Sequence, residues 1–216
     1  FNPALVGRAF LGATFPNAMT TWSPAVGPGG FFQVHASNLA MPFMHVDYDG
    51  VSSATPLGLM KFEYQDTALS NLLIGNVSGC IGETSGLLLL LGGIYMLWRR
   101  VIDWRIPASI LLSVAVFSGV LYAFGPDRYP GPLFSLFAGS LLIGAFYMAT
   151  DPVSSPITPR GAWIFGVGIG LLVVLIRVFG GFPEGVMYAI LLMNAATPLI
   201  DRYTQPRVFG RGGGTG

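Results

Sequence analysis

Charged side chains are scarce in this chain. Asp, Glu, Lys and Arg together make up 10% of the 216 residues, whereas 52% of the residues are hydrophobic. An ordinary soluble domain carries about 25% charged residues, so this composition predicts an integral membrane protein. The formal net charge is +1 and the basic residues form no cluster on one face, so no nucleic-acid partner is expected.

Cysteine and the common catalytic motifs are also scarce or missing. The single cysteine, Cys80, excludes an internal disulfide and any multi-cysteine metal site, and we expect it to be a packing residue. His35 and His45 lack the companion ligands of a zinc signature, so no metal site is predicted. The chain has no nucleophile elbow and no phosphate-binding loop. We therefore expect no catalytic side chains.

Long apolar runs are what the chain does contain. A helix needs about 20 apolar residues to cross a hydrocarbon core about 30 Å thick. Four runs approach that length, at residues 106–124, 132–149, 162–179 and 185–200, and a shorter one covers 85–98. The sequence predicts an all-α, multi-span helical bundle that forms one transmembrane domain over residues 1–216.

The arginines indicate how these spans are oriented. Counting alternate crossings places most of them on one side, which the positive-inside rule identifies as the cytoplasm; these are Arg99, Arg100, Arg105, Arg160, Arg202, Arg207 and Arg211. The tail at 201–216 is then cytoplasmic. The loop region at 15–68 is predicted to be extracytoplasmic.

Polar and helix-breaking residues interrupt the apolar sequence at two places, "FNPALVG" at the start and "GNVSGCIGETSG" at 75–86. A broken helix at membrane depth is tolerated where it lines a cavity or a ligand. Close packing of small residues between helices explains the glycines equally well. Both interpretations stay open from the residues alone, and a membrane transporter with broken helices is one alternative function.

Two arginines fall near apolar runs. Arg8 lies inside the first run and is expected to pair with a carboxylate. Arg177 lies near the end of the run at 162–179, and we expect it to reach the membrane surface by snorkelling.

The stretch "DGVSSAT" resembles a flavinylation motif. The resemblance implies that Thr55 accepts FMN through a phosphoester and that Asp49 is read by the flavin transferase. Ser52, Ser53 and Ala54 fill the intervening motif positions, although Ser53 stands where the motif often has Gly. From the residues alone, Thr55 could instead be only the N-cap of a helix that begins at Pro56.

Longer stretches resemble the RnfD/NqrB family of membrane flavoproteins: "FNPALVGRAF", "SGCIGETS", "YMATDPVSSPIT" and "PEGVMYAILLMNAATPLIDRYTQPR". The ending "PLIDRYTQPRVFG" is similar to the RnfD branch, whereas the branch of the Na+-pumping quinone reductase usually departs there. Family members normally have further helices before "FNPAL", so we expect N-terminal helices to be absent from this chain.

The resemblance implies an inverted-repeat architecture like that of urea transporters. It also implies a membrane protein that carries electrons in a ferredoxin:NAD+ oxidoreductase of the bacterial or archaeal inner membrane and couples them to Na+ or H+ movement. The expected partners are Rnf proteins of the A, B, C, E and G types, a flavin transferase and membrane lipid. The NqrB component of the Na+-translocating NADH:quinone reductase and a non-redox transporter are the alternatives.

The resemblance further implies a noncovalent riboflavin near the "FNPA" turn. We expect Asn2 to contact that flavin, with Gly79 and Gly82 in the second break contributing to the same site. The competing interpretation is that Asn2 only caps a helix whose first residue is Pro3.

Overall fold

The computed structural model describes residues 1–20, 22, 54–65, 67–80, 82–126, 129–181 and 184–205. Every regular element in these ranges is helical, which confirms the all-α prediction for this part of the chain. The helices are α1 Pro3–Thr14, α2 Pro16–Thr20, α3 Pro56–Gly58, α4 Leu69–Ile74, α5 Gly86–Trp98, α6 Arg105–Phe124, α7 Pro132–Phe137, α8 Leu141–Ile143, α9 Pro159–Phe179 and α10 Val186–Thr204. Helix α3 continues into a π-helical turn, Leu59–Glu63, and α8 into another, Gly144–Met148.

Two helices of the described part, α6 and α9, are long and apolar enough to cross a membrane by length and composition. They pack closely because small residues face each other. Gly166 lies against Ser109 and Gly170 lies against Ser113, so closely that a methyl group at either glycine would collide with the serine. Each serine hydroxyl donates to a carbonyl of its own helix at 2.9 Å, so the close approach leaves no unsatisfied hydroxyl.

The central core forms where α10, α1 and the π-helical turn after α8 join this pair. Leu5 of α1, Ile110 of α6 and Ile169 of α9 are almost completely buried within it. Helix α1 therefore packs into the body of the protein through Leu5. The side chain of Phe10 in α1 is 67% exposed, and that of Phe1, before the helix, is 70% exposed.

The predicted single span at 132–149 is wrong, because the structure divides it into α7 and α8. Ala138 has extended backbone angles and Gly139 has a φ of +70°, a conformation that favours glycine. A side chain at Gly139 would meet Leu57 and the Glu184 carboxylate. The break therefore lets the backbone approach these two residues closely.

Candidate functional site

Thr55 marks the start of a helix, as the sequence predicts. Its backbone is extended, at φ −72° and ψ 157°, because the following residue, Pro56, disfavours the helical conformation before it. Its Oγ1 accepts a hydrogen bond from the Gly58 N–H at 3.2 Å, so Thr55 is the N-cap. Thr55 is half-buried, and the preceding Ala54 is exposed. The other motif positions, Asp49, Ser52 and Ser53, lie outside the described residues.

A small cavity, here called the acceptor cavity, adjoins Thr55. Its volume is about 20 Å³, enough for about one water molecule. Gly79, Glu83, Gly139 and Glu184 share its wall with Thr55. The second break of the sequence and the break between α7 and α8 therefore meet beside the candidate acceptor.

An ion-pair network holds the acceptor cavity together. The Nη1 of Arg8 lies 2.6 Å from Oε1 of Glu83, and its Nη2 lies 3.8 Å from Oε2 of Glu184. The Ser140 hydroxyl donates to Glu184 Oε2 at 3.3 Å. The prediction that Arg8 has a carboxylate partner is confirmed. The network joins α1, the loop before α5, the α7–α8 break and the residue pair that precedes α10.

Arg177 does not snorkel, so that prediction is wrong. Its Nη1 and Nη2 groups donate to the carbonyl oxygens of Ser135 and Ala138, at 2.6 and 2.9 Å. These carbonyls lie at the end of α7, where no further helical turn satisfies them. Lys61 makes the matching contact at the end of α9, donating from Nζ to the carbonyls of Arg177 and Gly180. The two cations thus satisfy two helix ends and fix the turn after α3 against α9.

Sequence reasoning did not identify Lys61, Gly139 or Glu184 as site residues. Glu184 offered a signal, because it is a carboxylate directly before a long apolar run. A carboxylate near a membrane segment commonly faces a partner or a cavity. Gly139 offered none, since its neighbours "FAGSLL" look like an ordinary apolar run with small residues.

Asn2 lies at a different cavity. Its Oδ1 accepts from the Ala4 N–H at 3.0 Å and its Nδ2 donates to the Met148 carbonyl at 3.2 Å. The predicted cap is therefore present. Asn2 lines a recess of about 410 Å³, here called the Asn2 cavity, together with Tyr147 and Asp151.

The structure does not bring Asn2 together with the predicted glycines in one cavity. Gly79 lines the acceptor cavity beside Thr55. Gly82 has a φ of +91°, and a side chain there would meet Ile143 at the end of α8. Gly79 therefore lies beside Thr55, whereas Gly82 packs against α8.

Within the described ranges, no group of three or more His, Cys, Asp or Glu side chains is placed to hold a metal ion. His35 and His45 lie outside those ranges.

The chain matches known proteins over nearly its full length. The model of the NQR2, RnfD, RnfE family matches residues 1–210. The D-type component of an ion-translocating oxidoreductase complex from Yersinia pseudotuberculosis is 42% identical over 231 residues, covering 99% of this chain and 66% of that relative. The D-type component of a proton-translocating ferredoxin:NAD(+) oxidoreductase complex from Clostridium ljungdahlii is 43% identical over 224 residues, covering 97% of this chain and 61% of the relative. The chain thus spans somewhat less than two thirds of the length of these relatives.

Proposed function

The chain belongs to the NQR2, RnfD, RnfE family, and on that premise we propose that it acts as the RnfD component of an ion-translocating ferredoxin:NAD+ oxidoreductase, the Rnf complex. In this role it carries electrons through FMN bound covalently to Thr55, and it couples their transfer to Na+ or H+ movement. The other Rnf proteins are its partners, and an exported flavin transferase matures it. The observation that carries the flavin assignment is the position of Thr55, a half-buried hydroxyl at a helix start that follows an exposed residue.

The residues around Thr55 fit the attachment of a phosphate. In the transfer reaction the Thr55 oxygen forms a bond to the FMN phosphorus of FAD, the pyrophosphate bond breaks, and AMP leaves as the hydroxyl proton is released. The phosphodiester adds one negative charge beside Glu83 and Glu184. Arg8 contacts both carboxylates and so offsets part of this negative charge. The acceptor cavity holds about one water, so it takes part of the phosphate and not the flavin ring.

The bound flavin supplies one-electron and hydride chemistry, and the protein supplies position and electrostatics. A covalent tether keeps the carrier in place through repeated cycles of oxidation and reduction. The residues of this chain fix the point of attachment: Pro56 holds Thr55 extended, and Lys61 fixes the following turn to the end of α9. The electron carrier is thereby anchored to a helix that is long enough to span a membrane.

The absorption spectrum of the purified full-length protein tests this function against its rivals. The flavin carrier predicts visible flavin absorbance that bleaches on reduction and stays with the chain after denaturation. A non-redox transporter or a structural scaffold predicts a colourless protein. Colourless protein obtained from cells that express the flavin transferase would contradict the proposal.

We place the protein in the bacterial or archaeal inner membrane, with inverted helical repeats, Thr55 on the extracytoplasmic side and the C-terminus in the cytoplasm. The arginines Arg99, Arg100, Arg105, Arg160 and Arg202 support this orientation through the positive-inside rule.

Cysteine labelling tests the orientation. In a Cys80→Ala background, Gly27→Cys should react with an impermeant reagent in intact cells, because we propose that the loop region containing it is extracytoplasmic. Tyr203→Cys, which is 81% exposed near the end of α10, should react only after the membrane is opened. The reverse pattern would contradict the orientation.

A second flavin, a noncovalent riboflavin, is our proposal for the Asn2 cavity. Its volume of about 410 Å³ and its polar residues Asn2, Tyr147 and Asp151 support this assignment. Apolar pockets with a few placed polar groups are the usual form of a cofactor site.

Two substitutions separate the cap from the flavin ligand. Asn2→Ser keeps an oxygen that can cap α1 but removes the amide donor, whereas Asn2→Leu removes both. We expect both variants to lose most of the noncovalent flavin extracted per covalent FMN, with Thr55 modification intact. An unchanged ratio in Asn2→Ser would reduce Asn2 to a cap.

A further inference from the structure

A cavity larger than the acceptor cavity lies along the helix that Thr55 begins. Its volume is about 210 Å³, and we call it the helix-face cavity. Leu57, Met60, Lys61 and Tyr64 line it. Leu57 belongs to α3, Met60 and Lys61 belong to its π-helical continuation, and Tyr64 is the residue that ends that turn. The cavity therefore runs along the turns that follow Thr55.

The opposite wall is mostly apolar, and it also carries one cationic and one phenolic side chain. Val174 and Phe179 of α9 and Leu121 of α6 contribute apolar surface, while Arg177 and Tyr129 contribute polar groups. Of the five N–H donors of the Arg177 guanidinium, two bind carbonyl oxygens of α7 and its end. Its buried Nε has no hydrogen-bond partner in the part of the chain that the structure describes.

We propose that the helix-face cavity holds the isoalloxazine ring of the FMN attached to Thr55. This inference rests on the proposed function and specifies where the ring lies. A phosphate and a five-carbon ribityl chain separate the ring from the Thr55 oxygen. The ring therefore cannot lie directly beside Thr55 and needs a cavity further along the protein surface. Lys61 follows Thr55 by six residues, along α3 and the first part of its π-helical continuation. Leu57 lines both the acceptor cavity and the helix-face cavity and so connects them.

The chemistry of the cavity matches the ring. One end of the isoalloxazine is an apolar dimethylbenzene, for which Leu121, Val174 and Phe179 form a wall. The other end carries carbonyl and ring-nitrogen acceptors, which Arg177 and Lys61 can approach as donors. Positive charge beside that end stabilises the reduced ring, because reduction adds electron density there. Lys61 and Arg177 are therefore residues that position the ring and raise its reduction potential.

The tether favours the flavin over other occupants. A lipid tail or a quinone also fits an apolar cavity with a cationic edge. A short flexible tether gives its own ring an effective concentration in the millimolar range. The covalent ring therefore occupies the cavity ahead of free lipid molecules of ordinary affinity.

Fluorescence of the flavinylated full-length protein tests the position of the ring. A tyrosine near an excited flavin quenches it by electron transfer, and phenylalanine does not. We expect native fluorescence per covalent flavin to rise severalfold in Tyr64→Phe/Tyr129→Phe. The control Tyr95→Phe, an exposed tyrosine of α5, should leave it unchanged. Subtracting the signal of Thr55→Ala removes the contribution of noncovalent flavin.

The midpoint potential of the covalent flavin gives a second readout. Lys61→Gln keeps a donor for the α9 carbonyls but removes the charge, so the potential should fall, whereas Lys61→Arg should restore it. A tenfold loss in stabilisation of the reduced ring corresponds to about 59 mV for one electron. Normal covalent flavin with unchanged fluorescence and potential in these variants would overturn the ring position and leave Thr55 as the acceptor. Absence of covalent flavin from the parent protein would overturn the proposed function and the ring position together.

Discussion

Thr55→Ala is expected to abolish the covalent flavin that we propose for this protein. In our proposal, the substitution removes the hydroxyl oxygen that is bonded to the phosphorus of FMN. In a denaturing gel, the fluorescent band of the chain should disappear completely, while immunodetection should find the chain in the membrane. The loss of the N-cap costs about 1 kcal/mol, which is too little to remove the protein from the membrane.

Matched variants separate the acceptor role from the cap role. Thr55→Asn keeps a side-chain oxygen that caps the helix but has no hydroxyl, so it should be stable and carry no covalent flavin. Thr55→Ser keeps both functions and should retain flavin. Thr67→Ala removes the next threonine along the chain, and its band should fluoresce normally. A fluorescent band from Thr55→Asn would show that the acceptor lies elsewhere.

Arg8→Gln is expected to destabilise the folded protein strongly. The guanidinium contacts both Glu83 and Glu184, and the Glu83 side chain is only 6% exposed. Breaking a buried ion pair from one side costs about 3 to 5 kcal/mol, because the remaining charge stays buried without its partner. Arg8 is 25% exposed, so we expect about 3 kcal/mol, at the lower end of that range. Thermal unfolding of the full-length protein in detergent measures the loss.

A double-mutant cycle identifies the cause. Glu83→Gln should cost less than Arg8→Gln, since Arg8 then keeps Glu184 while removal of Arg8 leaves two carboxylates facing each other. Arg8→Gln/Glu83→Gln should recover part of the loss, because it removes one of those carboxylates. Costs that simply add in the double variant would show that the pair contributes no coupling energy.

Much of the fold could be predicted from local sequence. The apolar runs at 106–124 and 162–179 became α6 and α9, because hydrophobicity and length suffice to identify a long apolar helix. Thr55 before Pro56 and Asn2 before Pro3 became caps, since proline and a short polar side chain decide helix starts locally. The family prediction, including its RnfD branch, is confirmed by the comparisons.

The break inside the predicted span at 132–149 could not be predicted in the same way. Its cause is nonlocal: Gly139 adopts a positive φ where the backbone approaches Leu57 and Glu184, which are distant in sequence. The failed snorkelling prediction follows from the same feature. Arg177 donates to the carbonyls of Ser135 and Ala138 at the end of α7 and so stays within the protein. The hydropathy of the sequence around Arg177 cannot predict these distant partners.

The two helix-breaking stretches, at the start of the chain and at 75–86, line different cavities, which local sequence patterns could not predict. Asn2 and Gly79 both looked like parts of one flavin site, yet they line different cavities. Helix α1 connects the two regions, with Asn2 at its start and Arg8 six residues later, where it contacts Glu83 of the acceptor cavity. Contacts between segments far apart in the sequence decide which cavity each break lines.

Mass spectrometry of the peptide that contains Thr55 tests the central claim most directly. The peptide should come from the full-length protein, made in cells that contain the flavin transferase. The account predicts that this peptide carries FMN, joined with loss of one water, and that fragmentation assigns the added mass to Thr55. An unmodified Thr55 peptide from protein whose covalent flavin is present on another residue would contradict it.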